Sequence, residues 1–450
     1  MVKNVVIVGS GMAAITAARE LSRNGIKVTI LEAMDRLGGR IHTVKRGERK
    51  YDLGASWMHD TLVNPLFLTC AKEGITMEYD DESHGYFTKY GPIPRELNIT
   101  AVAEDLDGMM ELDYGLGKYR QPDQTLKTYA IEFVNKWPLI SERNKKLVPR
   151  LAQFHELWTG VPWNEAGAAT TLLDFMGRNA FMIEGMSSIY EFVRKDVNWD
   201  HTDAITNAVV QKISTDGETY LVSTDQRTYE ADYVICTIPL GGLKNFHAQL
   251  FDLPLSESLS KAMREGVMGA LGKVVLEFDT CWWHNEFDQI KFIVDEDPEI
   301  DLGLGPGNQP LDFINAFRKH PAHNQHALIV LTAPPLTQFV EANPDKAFSY
   351  LLPALRAIRK NQNEEVPEPV FTMCTDWTLN PWIGGSYTGV KVGHTFDETV
   401  QPFIEGADRL RFAGEHTVYD GNGCVHGAYA SGLREAGWIL DHLQAPASGK

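Results

Sequence analysis

This 450-residue sequence predicts an α/β fold, α+β taken as a whole, and three observations carry that reading. The first is Val5-Val6-Ile7-Val8-Gly9-Ser10-Gly11-Met12-Ala13-Ala14, an apolar strand, a glycine turn and the start of a helix. The second is Glu32, an acid that closes the next apolar strand, Val28-Thr29-Ile30-Leu31. The third is Phe412-Ala413-Gly414-Glu415-His416-Thr417 near the other end, followed by a second glycine-rich turn and a helix. A strand, tight turn and helix present backbone N–H groups and the positive helix end to a pyrophosphate. Gly9 permits the turn and Gly11 admits a phosphate to the backbone; Ala14 stands where a third glycine is common and is small enough for helix–strand packing, and Ala13 and Ala14 are counted with the cofactor-binding residues. Glu32 stands near the spacing of about 20 residues at which a carboxylate meets ribose hydroxyls. The predicted unit is a Rossmann-like dinucleotide-binding domain.

The elements of that domain return at intervals. Residues 1–80 carry the first strands. A strand-rich stretch opens at Ala208-Val209-Val210-Gln211-Lys212-Ile213 and ends in Ala231-Asp232-Tyr233-Val234-Ile235-Cys236-Thr237-Ile238-Pro239. The last piece covers Asp408 to Leu443. Between them lie a mainly helical block and a mixed block with strand-like Lys273–Phe278 and Ala327–Thr332. The economical division assigns 1–80, 201–270 and 405–450 to the cofactor domain, and 81–200 and 271–404 to a substrate domain.

Composition narrows the class. Hydrophobic residues make up 43% and charged residues 23%, as in an ordinary globular protein. No apolar run approaches the ~18 residues of a membrane span. A first strand at about Lys3 leaves no signal or transit peptide, so a cytoplasmic location is expected. Cys70, Cys236, Cys281, Cys374 and Cys424 are scattered, odd in number and without metal-ligand spacing, which reads as reduced thiols and no metal. The net charge of −18 argues against nucleic acid and favours the approach of cations. Ten acids and two bases lie between Glu78 and Asp113, with Glu104, Asp107 and Glu111 on one helix face. They read as a solvated acidic face, with a polycation-attracting rim as the alternative.

Further motifs make a resemblance specific. Glu32-Ala33-Met34-Asp35 and Arg36-Leu37-Gly38-Gly39-Arg40 resemble the extended fingerprint of flavin amine oxidases, whose cofactor is FAD. Gly54-Ala55-Ser56-Trp57 and His59-Asp60-Thr61 resemble the yeast-type fungal polyamine oxidases, which have the monoamine oxidase fold. That resemblance covers nearly the whole chain. It implies a monoamine-oxidase-like substrate domain and cofactor contacts at Ala33, Gly39, Arg40, Gly54, Ala55, Ser56, Trp57, Val210, Trp377, Gly414, Glu415, Cys424 and Val425. It also implies that His59 hydrogen-bonds an amine nitrogen, and that Lys273 acts through a water at flavin N5. Read from residue type alone, Lys273 is a strand-end lysine reaching solvent, and the two readings stay open.

Trp377 precedes Asn380-Pro381-Trp382-Ile383-Gly384-Gly385-Ser386-Tyr387-Thr388. By the resemblance, Ser386 replaces the cysteine that links monoamine oxidases to their flavin, so FAD is held non-covalently. Tyr387 supplies one aromatic wall and Cys424 takes the place of the other, which favours a flexible aliphatic amine. Trp158, Trp163 and Asn179 fall in substrate-channel segments. Phe175 departs from the family by replacing a histidine. The implied reaction is oxidation of a secondary amine, most simply spermine, spermidine or an N-acetylated polyamine. Hydride passes to flavin N5, the imine hydrolyses to an aldehyde and a shorter amine, and O2 becomes hydrogen peroxide. Partners are then a small polyamine and O2, with no nucleic acid and no membrane. An amino-acid oxidase, a lysine demethylase of the same fold and a non-catalytic FAD-binding protein are the competing readings.

Overall fold

In the computed structural model, residues 3–80, 83–115, 122–171, 177–294, 309–319 and 325–444 are described. Five strands form a parallel sheet in the spatial order Thr202–Ile205, Lys27–Leu31, Asn4–Val8, Tyr233–Cys236, Leu410–Phe412. Val5, Val6 and Ile7 are fully buried because both faces of this sheet are covered. One face packs on the helix Met12–Arg23, where Ile15 and Leu21 join Val5 and Ile7 in a common core. The other face buries Val6, Val234 and Phe412 with Leu240 and Leu259. A near-continuous apolar strand is what a parallel sheet covered on both sides requires.

A second sheet of seven strands runs in the order Phe371–Cys374, Gly272–Glu277, Ala327–Thr332, Leu311–Asn315, Gln289–Phe292, His84–Thr88, Gly91–Pro92. Its pairings are antiparallel except for Gln289–Phe292 with His84–Thr88. The block 81–200, read from sequence as mainly helical, therefore also lends two strands to this sheet. The rest of the block holds the helices Ile99–Met110, Leu126–Lys136 and Glu142–Ala152. Alternation sorts the strand Gly272–Glu277. Val274 and Leu276 enter one core with Phe313 and Val330, while Val275 enters another with Ile314, Ile329 and Trp377. Lys273 and Glu277 share the parity of Val275 and point toward the segment 46–56. Glu277 is fully buried and accepts hydrogen bonds from Arg46, Arg49 and Tyr51.

The acidic stretch divides. Glu104 and Glu111 are exposed, Asp107 bonds His155, and Asp80 is buried against Lys319. Among the described residues, no helix is long and apolar enough to cross a membrane.

The C-terminal helix Val425–Gln444 lies directly on the helix Met12–Arg23. Small residues permit the approach, since a Cβ on Gly432 would come within 2.4 Å of the Ala13 carbonyl oxygen. Gly432→Leu is expected to lower the melting temperature by several degrees through overpacking. Gly437→Ala on the same helix, where a Cβ meets nothing within 4 Å among the described residues, should not lower it. Thermal unfolding of the two variants checks this, and equal melting temperatures would refute the packing argument.

Candidate active site

A cavity of about 330 Å³ runs from the end of the parallel sheet to the face of the seven-stranded sheet. Its first end is built by the turn after the first strand. Gly9 sits at φ 99°, and a Cβ there would lie 2.5 Å from Thr237 Oγ1. Gly11 is different: its φ of −67° suits any residue, and a Cβ would meet nothing within 4 Å among the described residues. Gly11 caps the helix Met12–Arg23 with no side-chain hydrogen bond and no acid in the first turn. This helix start keeps its N–H groups and positive end for an anion. The second turn packs on the first, with the Cβ position of Gly39 3.5 Å from Gly11 Cα.

Glu32 is buried, lines the cavity and accepts hydrogen bonds from Ser10 Oγ at 2.5 Å and Met34 N at 2.9 Å. Ala33 and Val210 lie on the same wall. Arg40 donates to Ser386 O at 2.9 Å and to Glu415 Oε1 at 2.8 Å. Burial alone would raise the Glu415 pKa, but Arg40 and the neighbouring donors hold it below the ordinary value. Its other oxygen accepts from Thr388 Oγ1 and from Gly423 N at 3.1 Å. Gly414 and Val425, the first residue of the C-terminal helix, complete this side. These residues fit a dinucleotide: an uncapped helix start, room over Gly11 and a carboxylate at the ribose spacing.

Toward the second sheet the wall comes from Gly54, Ala55, Ser56, Trp57 and His59. Lys273 also lies on it and is buried, which removes the reading of a lysine reaching solvent. Its Nζ donates to Asp52 O at 2.9 Å, Gly54 O at 2.5 Å and Ser56 Oγ at 2.5 Å, and lies 5.8 Å from the Trp57 ring centroid. Burial pulls the Lys273 pKa down to about 8, with Asp52 pulling the other way. Asp52 is itself pushed up to about 6 by burial, against the Thr43 bond and the charge of Lys273.

His59 Nδ1 lies 2.9 Å from Asn179 Oδ1, which can only accept, so the ring N–H is there and Nε2 carries the lone pair. Burial lowers the His59 pKa, opposed by Asn179 and Asp60, which keeps the ring neutral. Trp158 meets it edge-on at 6.4 Å and is more than a third exposed at the rim. Tyr387 donates to Leu157 O at 2.9 Å, and burial raises its pKa. Cys424 stands beside Tyr387 on the wall, and burial, Asp60 and Glu415 push its thiol up. Trp377 donates through Nε1 to Leu53 O at 3.0 Å. Ser386 Oγ accepts from Leu271 N at 2.8 Å, so this hydroxyl pins two loops together.

Two sequence-predicted residues lie elsewhere. Ala14 is fully buried in the core against the parallel sheet, because its Cβ faces the strand rather than the cavity. Trp163 is buried among the helices of the 99–171 region, with Lys127 and Arg150 over its ring. Phe175 lies outside the described residues. The sequence reading missed Asp80, Gln289 and Asp312, which line the far end. Asp80 accepts from Trp57 Nε1 at 2.8 Å, Gln289 Nε2 at 3.0 Å and Lys319 Nζ at 2.8 Å, the last a fully buried ion pair. No spacing could have joined positions 57, 80, 289 and 319.

Residues 12–440 match the family described as flavin containing amine oxidoreductase. A corticosteroid-binding protein of Candida albicans is 30% identical, over 98% of this chain and 96% of its own length. A rice protein called lysine-specific histone demethylase 1 homolog 3 is 27% identical over 99% of this chain. The chain spans only 55% of that protein. Rice polyamine oxidase 5 is 25% identical over 98% of this chain and 88% of its own length.

The space over Gly11 separates binding from folding. Gly11→Val should keep the parent's melting temperature in the cofactor-free state, since φ and space allow it. The bound FAD per chain should fall at least tenfold, because the side chain fills the phosphate position. Flavin absorbance after desalting measures this, and undiminished FAD would place the dinucleotide elsewhere.

Proposed function

This chain belongs to the flavin-containing amine oxidoreductase family, and from that premise we propose that it oxidises a secondary amine of a polyamine. The observation that carries the proposal is one cavity with an uncapped helix start and Glu32 at one end, and buried Lys273 and the His59–Asn179 pair at the other. FAD, when bound, accepts a hydride equivalent and passes electrons to O2. The overall reaction takes R–CH2–NH–R′, O2 and water to R–CHO, R′–NH2 and hydrogen peroxide.

The helix start at Gly11 would hold the pyrophosphate, Glu32 the ribose, and Ala33 and Val210 the base. Gly39, Arg40, Trp377 and the start of the C-terminal helix would face the rest of the cofactor. Ser386 cannot form a thioether, and its hydroxyl is already bonded, so attachment is non-covalent. By the same reading, residues 1–80, 201–270 and 405–450 form the cofactor domain, and 81–200 with 271–404 the substrate domain. The parallel sheet, drawn from the first of these sets, supports that division.

At the reacting end, the nitrogen must be unprotonated for hydride to leave its α-carbon. An amine of pKa about 10 is shifted down by burial against Trp57 and Tyr387. Neutral His59 accepts the N–H of that amine through Nε2 and orients its lone pair. Tyr387 and Cys424 form a half-aromatic wall suited to a flexible chain. Asp80, paired with Lys319, and Asp312 give the far wall a polar lining, which suits a polyamine better than a steroid nucleus. Lys273 places a positive charge beside the loop 52–56 and is proposed to stabilise charge where electrons arrive.

Three measurements test this reading. Acid or heat denaturation should release yellow FAD into the supernatant, and colour left on the precipitated chain would refute non-covalent binding. Anaerobic mixing with spermine, spermidine, N-acetylated polyamines, benzylamine and free amino acids should bleach the flavin fastest with a polyamine. Faster bleaching by benzylamine or an amino acid overturns the substrate class, and no bleaching by any amine overturns the oxidase reading. Lys273→Met should keep FAD and slow reduction or re-oxidation at least tenfold, equivalent to ~1.4 kcal/mol of barrier. It should also abolish a rate inflection near pH 8, below which the parent lysine is an ammonium and above which it is neutral. Stopped-flow rates equal to the parent's in both steps would make the lysine purely structural.

A further inference from the structure

Beside the half-aromatic wall three side chains converge that the amine chemistry does not use together. Asp60 follows His59 and is held at φ 56°, in the left-handed region that aspartate tolerates. Cys424 and His426 flank the first residue of the C-terminal helix. Asp60 Oδ2 lies 3.2 Å from His426 Nε2. A carboxylate oxygen, an imidazole nitrogen and the Cys424 sulfur all lie within 4.8 Å of one another. Asp60 and His426 are buried, and Cys424 is half-buried where the cavity gives access. Gly421 closes over the imidazole, since a Cβ there would come within 2.4 Å of Nε2. The ring is therefore held in place.

The geometry suits one kind of ion. Zinc bonds of about 2.0–2.3 Å in a tetrahedron set neighbouring ligand atoms roughly 3.3–3.6 Å apart. The Asp60–His426 separation of 3.2 Å is close to that spacing, and the sulfur lies within 4.8 Å of both atoms. Thiolate and carboxylate together balance a divalent charge, with neutral imidazole as the third ligand. A sulfur, nitrogen and oxygen set selects a zinc-like ion over magnesium or calcium, which take oxygen ligands. The set escapes sequence spacing because Asp60 comes from the opposite end of the chain.

We propose that Asp60, Cys424 and His426 form a binding site for one zinc-type divalent cation on the wall of the cavity. Binding forms the metal–sulfur bond and releases the thiol proton to solvent. Three protein ligands leave a coordination position for water, so the ion is exchangeable rather than structural. The site shares Cys424 with the wall of the amine cavity, while the test below reads metal binding and not amine oxidation.

The test uses the full chain carrying its FAD, washed with a chelator and titrated with zinc chloride by calorimetry. Bound metal is counted after desalting. One equivalent is expected, and Cys424→Ala, His426→Gln and Asp60→Asn should each weaken binding at least tenfold. Zinc-edge X-ray absorption of the parent should show one sulfur at about 2.3 Å with lighter ligands, a readout that needs no variant to fold. Failure to retain zinc, a spectrum without sulfur, or equal retention by Cys424→Ala and Asp60→Asn overturns the site.

Discussion

The architecture depends on how one strand docks onto one loop. Lys273 and Glu277, two turns of alternation apart on the same face, reach across to the segment 46–56 with opposite charges. Lys273 gives its three N–H bonds to Asp52 O, Gly54 O and Ser56 Oγ, while Glu277 collects Arg46, Arg49 and Tyr51. An ammonium without those acceptors would carry a heavy desolvation cost in its buried position. The loop in turn has no room to shift, because a Cβ on Gly54 would overlap the Arg40 carbonyl oxygen. This contact joins the seven-stranded sheet to the glycine turns that follow the parallel sheet. The cavity is the space that the docking leaves between them.

The same economy governs the other buried charges around the cavity. Asp80 meets Lys319, and Glu415 meets Arg40. Each carboxylate spends its remaining oxygen on a wall element: Asp80 on the Trp57 indole, Glu415 on Thr388 and Gly423. Paired charges therefore act as rigid struts for apolar and aromatic surfaces. His59 follows a different logic, because burial lowers its pKa against the opposing pull of Asn179 and Asp60 and leaves a lone pair rather than a charge.

Much of this was legible in the sequence, for reasons that can be named. The first strand and its glycine turn are local, so apolar runs and the Gly9–Gly11 spacing sufficed to read them. Lys273 was legible through resemblance, whereas residue type alone favoured solvent, and only the fold reveals its burial. Ala14 packs the helix onto the strand, as its small size suggests, and the 3.6-residue period leaves Ala13 rather than Ala14 on the cavity wall. Trp163 was misjudged because an aromatic beside a channel residue can face either way. The strand His84–Thr88, with its short hairpin partner Gly91–Pro92, is hidden within a helical stretch, since the strand that brings it into the sheet, Gln289–Phe292, lies some 200 residues away. Asp80, Gln289 and Lys319 belong to the same class of long-range encounter.

The strand order of the parallel sheet has a consequence for how the chain is made. Asn4–Val8 lies at its centre, yet Tyr233–Cys236 and Leu410–Phe412 on one side of it are synthesised far later. A chain growing from the ribosome thus leaves one edge of the strand Asn4–Val8 unpaired until Tyr233–Cys236 has been made. The helix Val425–Gln444 emerges after all five strands of this sheet. The candidate cofactor cradle is therefore complete only once the residues from Val425 onward have been made. Before Tyr233–Cys236 pairs with it, Asn4–Val8 is an unpaired apolar strand, the kind of edge that chaperones shield.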